Sequence, residues 1–333
     1  MGNNKFGIDL GTSNISIYNH SKKTYMTEKN MIAIQKKTTL LAYGDAAFDM
    51  YEKAPSTIQI SYPLNNGVIA DINNMETLIK CFIEDASDGD YKNSDYYIAV
   101  PTDVTEVEKR SFYDLIRDAN LKAKNIYVVE KAIADGVGLG IDVKSSQGVM
   151  IVDVGYNTTE ISILSLGGIV LSKLIKTGGF KFDEAIKSAI RREFNLIIGE
   201  KSSEVVKKSI KELKAQNKNI VVYGRDIVAG LPMEREIPTS LVDECLVEHF
   251  QTIINNVRLI LEKCPPELAA DIYKNGLYLT GGGSLVSNFA EQMADGTGLK
   301  VNMAESAVET VVIGLADIIQ NKKYKNLPYS FDE

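Results

Sequence analysis

Short apolar or alternating runs recur along this chain, and most of the stretches between them carry apolar residues at helical spacing. KFGIDL, NISIYN, YYIAVP, NIYVVE, GVMIVDV, EISILSL, GIVLSKL and NGLYLT are bounded by turn residues, which predicts strands. Residues 106–121, 182–196, 203–216 and 241–264 repeat apolar side chains three and four apart, which predicts helices. Thr105, ahead of Glu106 and Glu108, supplies an N-cap and a capping-box partner for the first of them. The Lys-rich stretch 207–218 is interleaved with Val206, Ile210 and Leu213, so it reads as a solvated helix face and not as a binding patch. The fold class is α/β.

One string occurs twice. IDLGTSNISIY (8–18) and VDVGYNTTEISIL (152–164) share an apolar run, an aspartate, an apolar residue, a glycine, a small polar cluster and an Ile-Ser-Ile alternation. Asp9 and Asp153 are 144 apart (153 − 9), and Gly11 and Gly155 are 144 apart (155 − 11). The period is too long for a solenoid and predicts a duplicated domain. In each copy the chain turns back as a strand after the glycine, so the element is a β-hairpin. That excludes P-loop and Rossmann readings, whose glycine loop opens a helix. A Gly-containing hairpin tip still cradles phosphate with backbone N–H groups and hydroxyls, and two facing tips would grip a phosphate chain from both sides. Asp9 and Asp153, before the tips, would hold Mg²⁺ through its water shell. In NGLYLTGGGSLVSNFAEQM (275–293), the triple glycine Gly281, Gly282 and Gly283 follows a strand, a fit for a backbone wall behind a nucleoside.

Composition narrows the options. The 333 residues, 44% hydrophobic and 24% charged, suit two cores of ordinary size. A net charge of −7 argues against a general nucleic-acid binder. Cys81, Cys245 and Cys264 form no CxxC, which points to buried thiols in a reducing compartment and away from disulfides or zinc. No signal-peptide pattern and no run of about 18 apolar residues is present. The expectation is a soluble, cytoplasmic protein. Abundant Lys and Asn with no Trp hint at an AT-rich genome.

Eight segments in order resemble the MreB/Mbl bacterial actins of the actin/Hsp70/sugar-kinase superfamily: IDLGTSN, YPLNNGVIAD (62–71), VPTDVTEVEKR (100–110), TTEISILSLGGIV (158–170), IGEKSSEVVK (198–207), GRDIVAGLP (224–232), LEKCPPELAADI (261–272) and LTGGGSL (279–285). The resemblance covers nearly the whole chain. It implies an actin-like fold of two duplicated α/β domains around an ATP cleft, each with a smaller subdomain. The implied division is IA at 1–31, 66–143 and 314–333, IB at 32–65, IIA at 144–178 and 237–313, and IIB at 179–236. It also implies a homopolymer of paired protofilaments, serving cell shape or motility. By match to the family motifs, Gly11, Thr12, Ser13, Asn14, Gly155, Tyr156, Asn157 and Thr158 would lie at the phosphates. Glu204 and Lys207 would face the nucleoside, with Gly281 to Ser284 behind it.

Departures from the pattern carry their own expectations. Family members have a glycine triplet where this chain has Gly155-Tyr156-Asn157, so Tyr156 and Asn157 bring side chains to a loop meant to approach phosphate closely. VVEKAIADGVG (128–138) aligns with the family's I-E-E-P-M-A-A-A segment, whose second glutamate positions the attacking water; Lys131 occupies that place, and Ala132 stands at the proline. A cationic lysine cannot accept the water's proton and would instead pair with the phosphates or with a nearby carboxylate, which predicts binding with weak hydrolysis. Glu130 is the candidate substitute base, although its adjacent position on the chain points elsewhere. The start MGNNKF is short for an amphipathic anchor and residues 84–97 are polar and acidic, so direct membrane insertion is not indicated. Attachment at the inner face of the membrane would then go through partners. A pseudo-ATPase that caps or co-assembles with active homologues is the main rival, ahead of a small-molecule kinase of the same fold. A chaperone would need a peptide-binding domain after the last motif.

Overall fold

A computed structural model describes residues 4–36 and 38–331. Two five-stranded sheets form its frame. The first contains β1 (Lys5–Leu10), β2 (Asn14–Asn19), β3 (Thr24–Lys29), β4 (Asp95–Val100) and β5 (Asn125–Glu130), in the order β3-β2-β1-β4-β5. The second contains β6 (Val149–Val154), β7 (Thr159–Ser165), β8 (Gly168–Ile175), β9 (Leu277–Thr280) and β10 (Val301–Met303), in the order β8-β7-β6-β9-β10. In each, three antiparallel strands meet two parallel ones on the side of the first strand. The duplication announced by the repeated string is therefore a duplication of topology.

Register makes the match finer. Asp9 pairs with Ser16 across the first hairpin and Asp153 pairs with Glu160 across the second. Both tips hold four residues between the paired ends, Leu10 with Ile15 and Val154 with Thr159. Ser16 and Glu160 are thus counterparts, 144 apart (160 − 16), whereas the Ile-Ser-Ile strings are shifted by two against this register.

Helices cover the sheets: α1 (Ile72–Ser87), α2 (Glu106–Asp118), α3 (Lys131–Gly138), α4 (Gly179–Phe194), α5 (Glu200–Ala215), α6 (Thr239–Lys263) and α7 (Thr310–Gln320), with further helices at Gly44–Met50, Pro266–Asn275 and Phe289–Thr297. The expected capping box is present on α2, where Thr105 Oγ1 accepts from Glu108 N at 3.2 Å and Thr105 N donates to Glu108 Oε2 at 2.7 Å. Helix α1 lies outside the predicted elements, although its buried Met75, Leu78, Ile79, Phe82 and Ile83 follow helical spacing behind an Asp71 cap. Helix α7 is apolar nearly all round because it is buried on most of its surface. Two three-stranded sheets stand apart from the frame, one from Ile32–Gln35, Thr39–Tyr43 and Ile58–Ser61, the other from Leu196–Ile197, Ile220–Asp226 and Pro232–Ile237.

Each large sheet packs a core of its own, one around Phe6, Ile8, Phe82, Tyr96 and Phe112 and the other around Val152, Ile161, Phe182, Phe250 and Phe289. A third cluster joins them through α3 and α7, with Val129, Ile133, Ile151, Leu164 and Leu315. The two helices touch backbone to backbone. A Cβ on Gly138 would collide with the Thr310 carbonyl, and one on Gly314 with that of Ala134. This close crossing fixes where α3 begins, and α3 begins with Lys131. Among the described residues no helix is long and apolar enough to cross a membrane. The acidic stretch at 84–97 is the end of α1 and the turn into β4. Met1–Asn3, on which the reading of a short start partly rests, lie outside the described residues.

Candidate functional site

The two hairpin tips face one cleft of about 360 Å³ between the large sheets. Gly11, Thr12, Ser13 and Asn14 line it from one side, and Gly155, Tyr156 and Thr158 from the other. Gly281, Gly282 and Gly283 form part of its wall. Gly281 has φ +80°, and a Cβ there would run into Asp153 Oδ1 and the Val154 carbonyl, so only glycine lets the backbone pass this close to the second tip. Ser284 is buried and donates to the Gly281 carbonyl at 2.6 Å, which makes it a brace for the turn rather than part of the wall.

Two of the candidate residues face elsewhere, Glu130 as its place beside Lys131 suggests. The Asn157 amide donates to Asn65 Oδ1, and Asn157 is not part of the cleft lining. Glu130 accepts from Lys109 Nζ at 2.7 Å and from the Tyr329 hydroxyl at 3.2 Å, on the far side of the end of β5. That engagement removes it from the place a substitute base would need. Tyr156 stays at the cleft, but its ring packs against Tyr62 and Phe180 and its hydroxyl donates to Glu200. Its bulk is accommodated by this aromatic group, leaving the backbone of the tip exposed to the cleft.

Lys207 is anchored deep in the opposite wall. Its Nζ donates to Asp183 Oδ2 at 2.7 Å and to the Gly179 carbonyl at 3.0 Å. Glu204, one turn earlier on α5, pairs with Lys208 at 2.6 Å and with Lys29 at 3.5 Å. Lys29 belongs to β3 of the first sheet and also donates to Ser13 Oγ at 3.2 Å, so Glu204 ties the two halves together beside the first tip. The mouth is closed by a second tie. Glu52 accepts the backbone N–H of Glu200 at 3.0 and 2.9 Å, capping a helix whose own N-cap, Gly199, has no side chain to offer. Tyr51 donates to Glu200 Oε2 at 3.0 Å alongside.

The floor holds the charge. Lys131 Nζ is 2.7 Å from Asp153 Oδ2, with side chains 18% and 6% exposed. Burial pulls the lysine pKa down, but attraction from Asp153, Asp9, Glu160 and Asp135 outweighs it, and the ammonium is held well above its ordinary range. Burial raises the Asp9 carboxyl against the pull of Lys131. Asp135 is raised well above its ordinary value by burial and then by Asp153.

Asp135 and Glu160 are cleft residues that the motif reading does not single out. The signal for Glu160 is the 144-residue spacing carried across the tip: counted from Asp153, it is the residue paired with the aspartate. For Asp135 the signal is its place on α3 four residues after Lys131, where the family's I-E-E-P-M-A-A-A has alanine.

Glu160 also links the halves, since its Oε2 accepts the Thr102 N–H at 3.1 Å. Burial lifts its carboxyl from 4.5 to about 7, partly offset by Lys131. A raised carboxyl pKa means the folded state holds more protons than the unfolded between those values, so this group's contribution to stability falls as pH rises from 4.5 to about 7. Glu160→Gln keeps an acceptor for Thr102 and removes the charge. It should gain on the order of 3 kcal/mol over the native chain at pH 8 and nothing near pH 4. Urea unfolding at both pH values checks this; a gain that does not change with pH would refute it.

The expected Mg²⁺ would be ordered by Asp9 and Asp153 accepting from its water shell. Here one of the two already carries an ammonium, and among the described residues no group of three or more His, Cys, Asp or Glu side chains could hold a metal directly. The residues fit a polyphosphate between the tips; they do not fit a divalent ion held by Asp9 and Asp153 together.

The family model for MreB/Mbl proteins matches residues 3–326. The chain belongs to the MreB/Mbl family. Among curated members it is 35% identical over 321 residues to the cell shape-determining protein Mbl of Bacillus subtilis, covering 95% of each chain. It is also similar to the crystal structure of MreB 5 of Spiroplasma citri bound to AMPPNP, with TM-score 0.90, 33% identity and 98% of each chain covered. The structure of a MamK double helical filament, 21% identical with TM-score 0.78 over 96% of this chain and 99% of that one, shares the fold. The actin-like fold expected from the sequence is therefore present. For an MreB/Mbl chain, the side chains around Lys131 are the feature that calls for explanation.

Proposed function

We propose that this MreB/Mbl chain is an ATP-binding cytoskeletal subunit that assembles end to end into filaments and hydrolyses its nucleotide slowly. The observation that carries the reading is the pair of four-residue hairpin tips facing each other across one cleft, with the Gly281–Gly283 backbone beside them. Each tip presents N–H groups and hydroxyls where a phosphate chain would thread, and Lys207 with Glu204 stands on the wall where the nucleoside would lie. The related Spiroplasma citri MreB 5 is bound to AMPPNP in its structure, and MamK forms a double helical filament. The expected subdomains suit the two detached sheets, with IB at 32–65 and IIB at 179–236 meeting at the mouth through Glu52 and Glu200.

Slow turnover follows from the cleft floor. Lys131 offers a proton donor where a base would be needed, and Glu130 is held by Lys109 and Tyr329. Closure of the two halves is supported by ties that binding alone can favour, so assembly should not require hydrolysis. Filaments viewed by electron microscopy are expected with AMPPNP about as abundantly as with ATP. If ATP supports them and AMPPNP does not, hydrolysis drives assembly and the reading fails in that part. The position of Lys131 also favours a second reading, a pseudo-ATPase that co-assembles with an active homologue. It would be preferred if the pure chain stays monomeric with both nucleotides and polymerises only beside such a partner.

A further inference from the structure

The cleft floor carries its own cation. We propose that Lys131 supplies from within the chain the positive charge that a divalent ion would otherwise bring to the phosphates, so that this cleft takes a nucleoside polyphosphate free of metal. The proposal rests on the nucleotide reading above.

Position comes first. Lys131 is the first residue of α3, and the glycine crossing of α3 with α7 leaves that helix no room to slide. The Ala132 N–H reaches Thr102 Oγ1 at 3.4 Å, which fixes the same turn against the strand end beside it. From there the side chain reaches Asp153, two residues before the glycine of the second tip. The ammonium lies in the cleft lining together with both tips. The two other lysines of the lining are committed elsewhere, Lys207 to Asp183 and Lys208 to Glu204. An ammonium has three donors, and Asp153 needs one of them; the remainder can meet phosphate oxygens.

Charge comes second. A glutamate at this position would carry −1 and the lysine carries +1, a difference of two units, which equals the charge of a divalent ion. The lysine also takes one of the two carboxylates that would order the metal's waters, and two cations at such a distance repel. Asp135 completes the arrangement. It lies one turn along α3, is 2% exposed, lines the cleft, and its Oδ1 has no hydrogen-bond partner. Burial raises this carboxyl well above its ordinary range, so it adds little negative charge, and Asp153 is the partner that pairs the lysine when no phosphate is bound.

The test is AMPPNP binding by isothermal titration calorimetry, with excess EDTA and with saturating Mg²⁺. The native chain should bind within about threefold in the two buffers, whereas Lys131→Gln should lose about tenfold or more in EDTA and recover with Mg²⁺. Lys131→Arg keeps the charge and should keep EDTA binding. A native chain that loses tenfold or more on EDTA treatment overturns the proposal whether or not the variants fold. A native chain that binds AMPPNP in neither buffer overturns the nucleotide reading itself, and this inference with it.

Discussion

Lys131→Glu is expected to raise steady-state phosphate release from ATP, measured with Mg²⁺ present, by about 10²-fold or more, the range a positioned base contributes. The native side chain is cationic and draws on Asp153 at 2.7 Å, so it neither accepts a proton from water nor leaves that aspartate free. The variant gathers five carboxylates, at 9, 131, 135, 153 and 160, around a floor with no ammonium, and their mutual repulsion is relieved by a divalent ion. Its melting temperature should therefore rise with Mg²⁺ far more than that of the native chain. Unchanged phosphate release from a variant that still binds AMPPNP would show that the floor does not set the rate.

Lys207→Met should destabilise the fold by about 3–5 kcal/mol, because it leaves a buried charge without its partner. Asp183 is fully buried, one of its oxygens already has no hydrogen-bond partner, and Lys207 holds the other at 2.7 Å. Burial raises the Asp183 carboxyl to about 6 even with the lysine in place. The folded state thus holds the extra proton between about 3.8 and 6, and this group's contribution to stability declines as pH rises through that window. Without the lysine the carboxyl rises further, so the deficit should be smaller at pH 5 than at pH 8. The double variant Lys207→Met with Asp183→Leu should recover most of the loss by removing both charges. Urea unfolding at the two pH values decides. A deficit below about 1 kcal/mol for the single variant would mean that water reaches Asp183.

The frame was legible in the sequence because its strands are short apolar or alternating runs bounded by turn residues and its two key hairpins repeat at one spacing. What escaped was of two kinds, one faint and one simply passed over. Strand β3, TYMTEK, is largely exposed at its start and has no apolar face for periodicity to report. Helix α1 shows its stripe plainly, with Met75, Leu78, Ile79, Phe82 and Ile83 in step. At the site, both tips and the Gly281 wall line one cleft, and their glycines are what marked them in the sequence. That Glu130 and Lys131 diverge was legible; the particular partners they find were harder to infer. Glu130 and Lys131 are neighbours in sequence, yet the passage from β5 into α3 sends one to Lys109 and the other to Asp153. Glu160 was hidden by the repeated Ile-Ser-Ile letters, which invite an alignment two residues away from the one the hairpin ladders adopt.

Helix α5 borrows its cap from across the mouth, and this makes the opening of the cleft visible to a clock. The Glu200 amide is protected by Glu52 only while the two small sheets stay together. Each opening exposes that amide to solvent deuterium without any global unfolding. Its exchange rate therefore follows the population of the open mouth, and a tightly held nucleotide should slow exchange at Glu200 while amides inside the β6 ladder keep the pace of the whole fold.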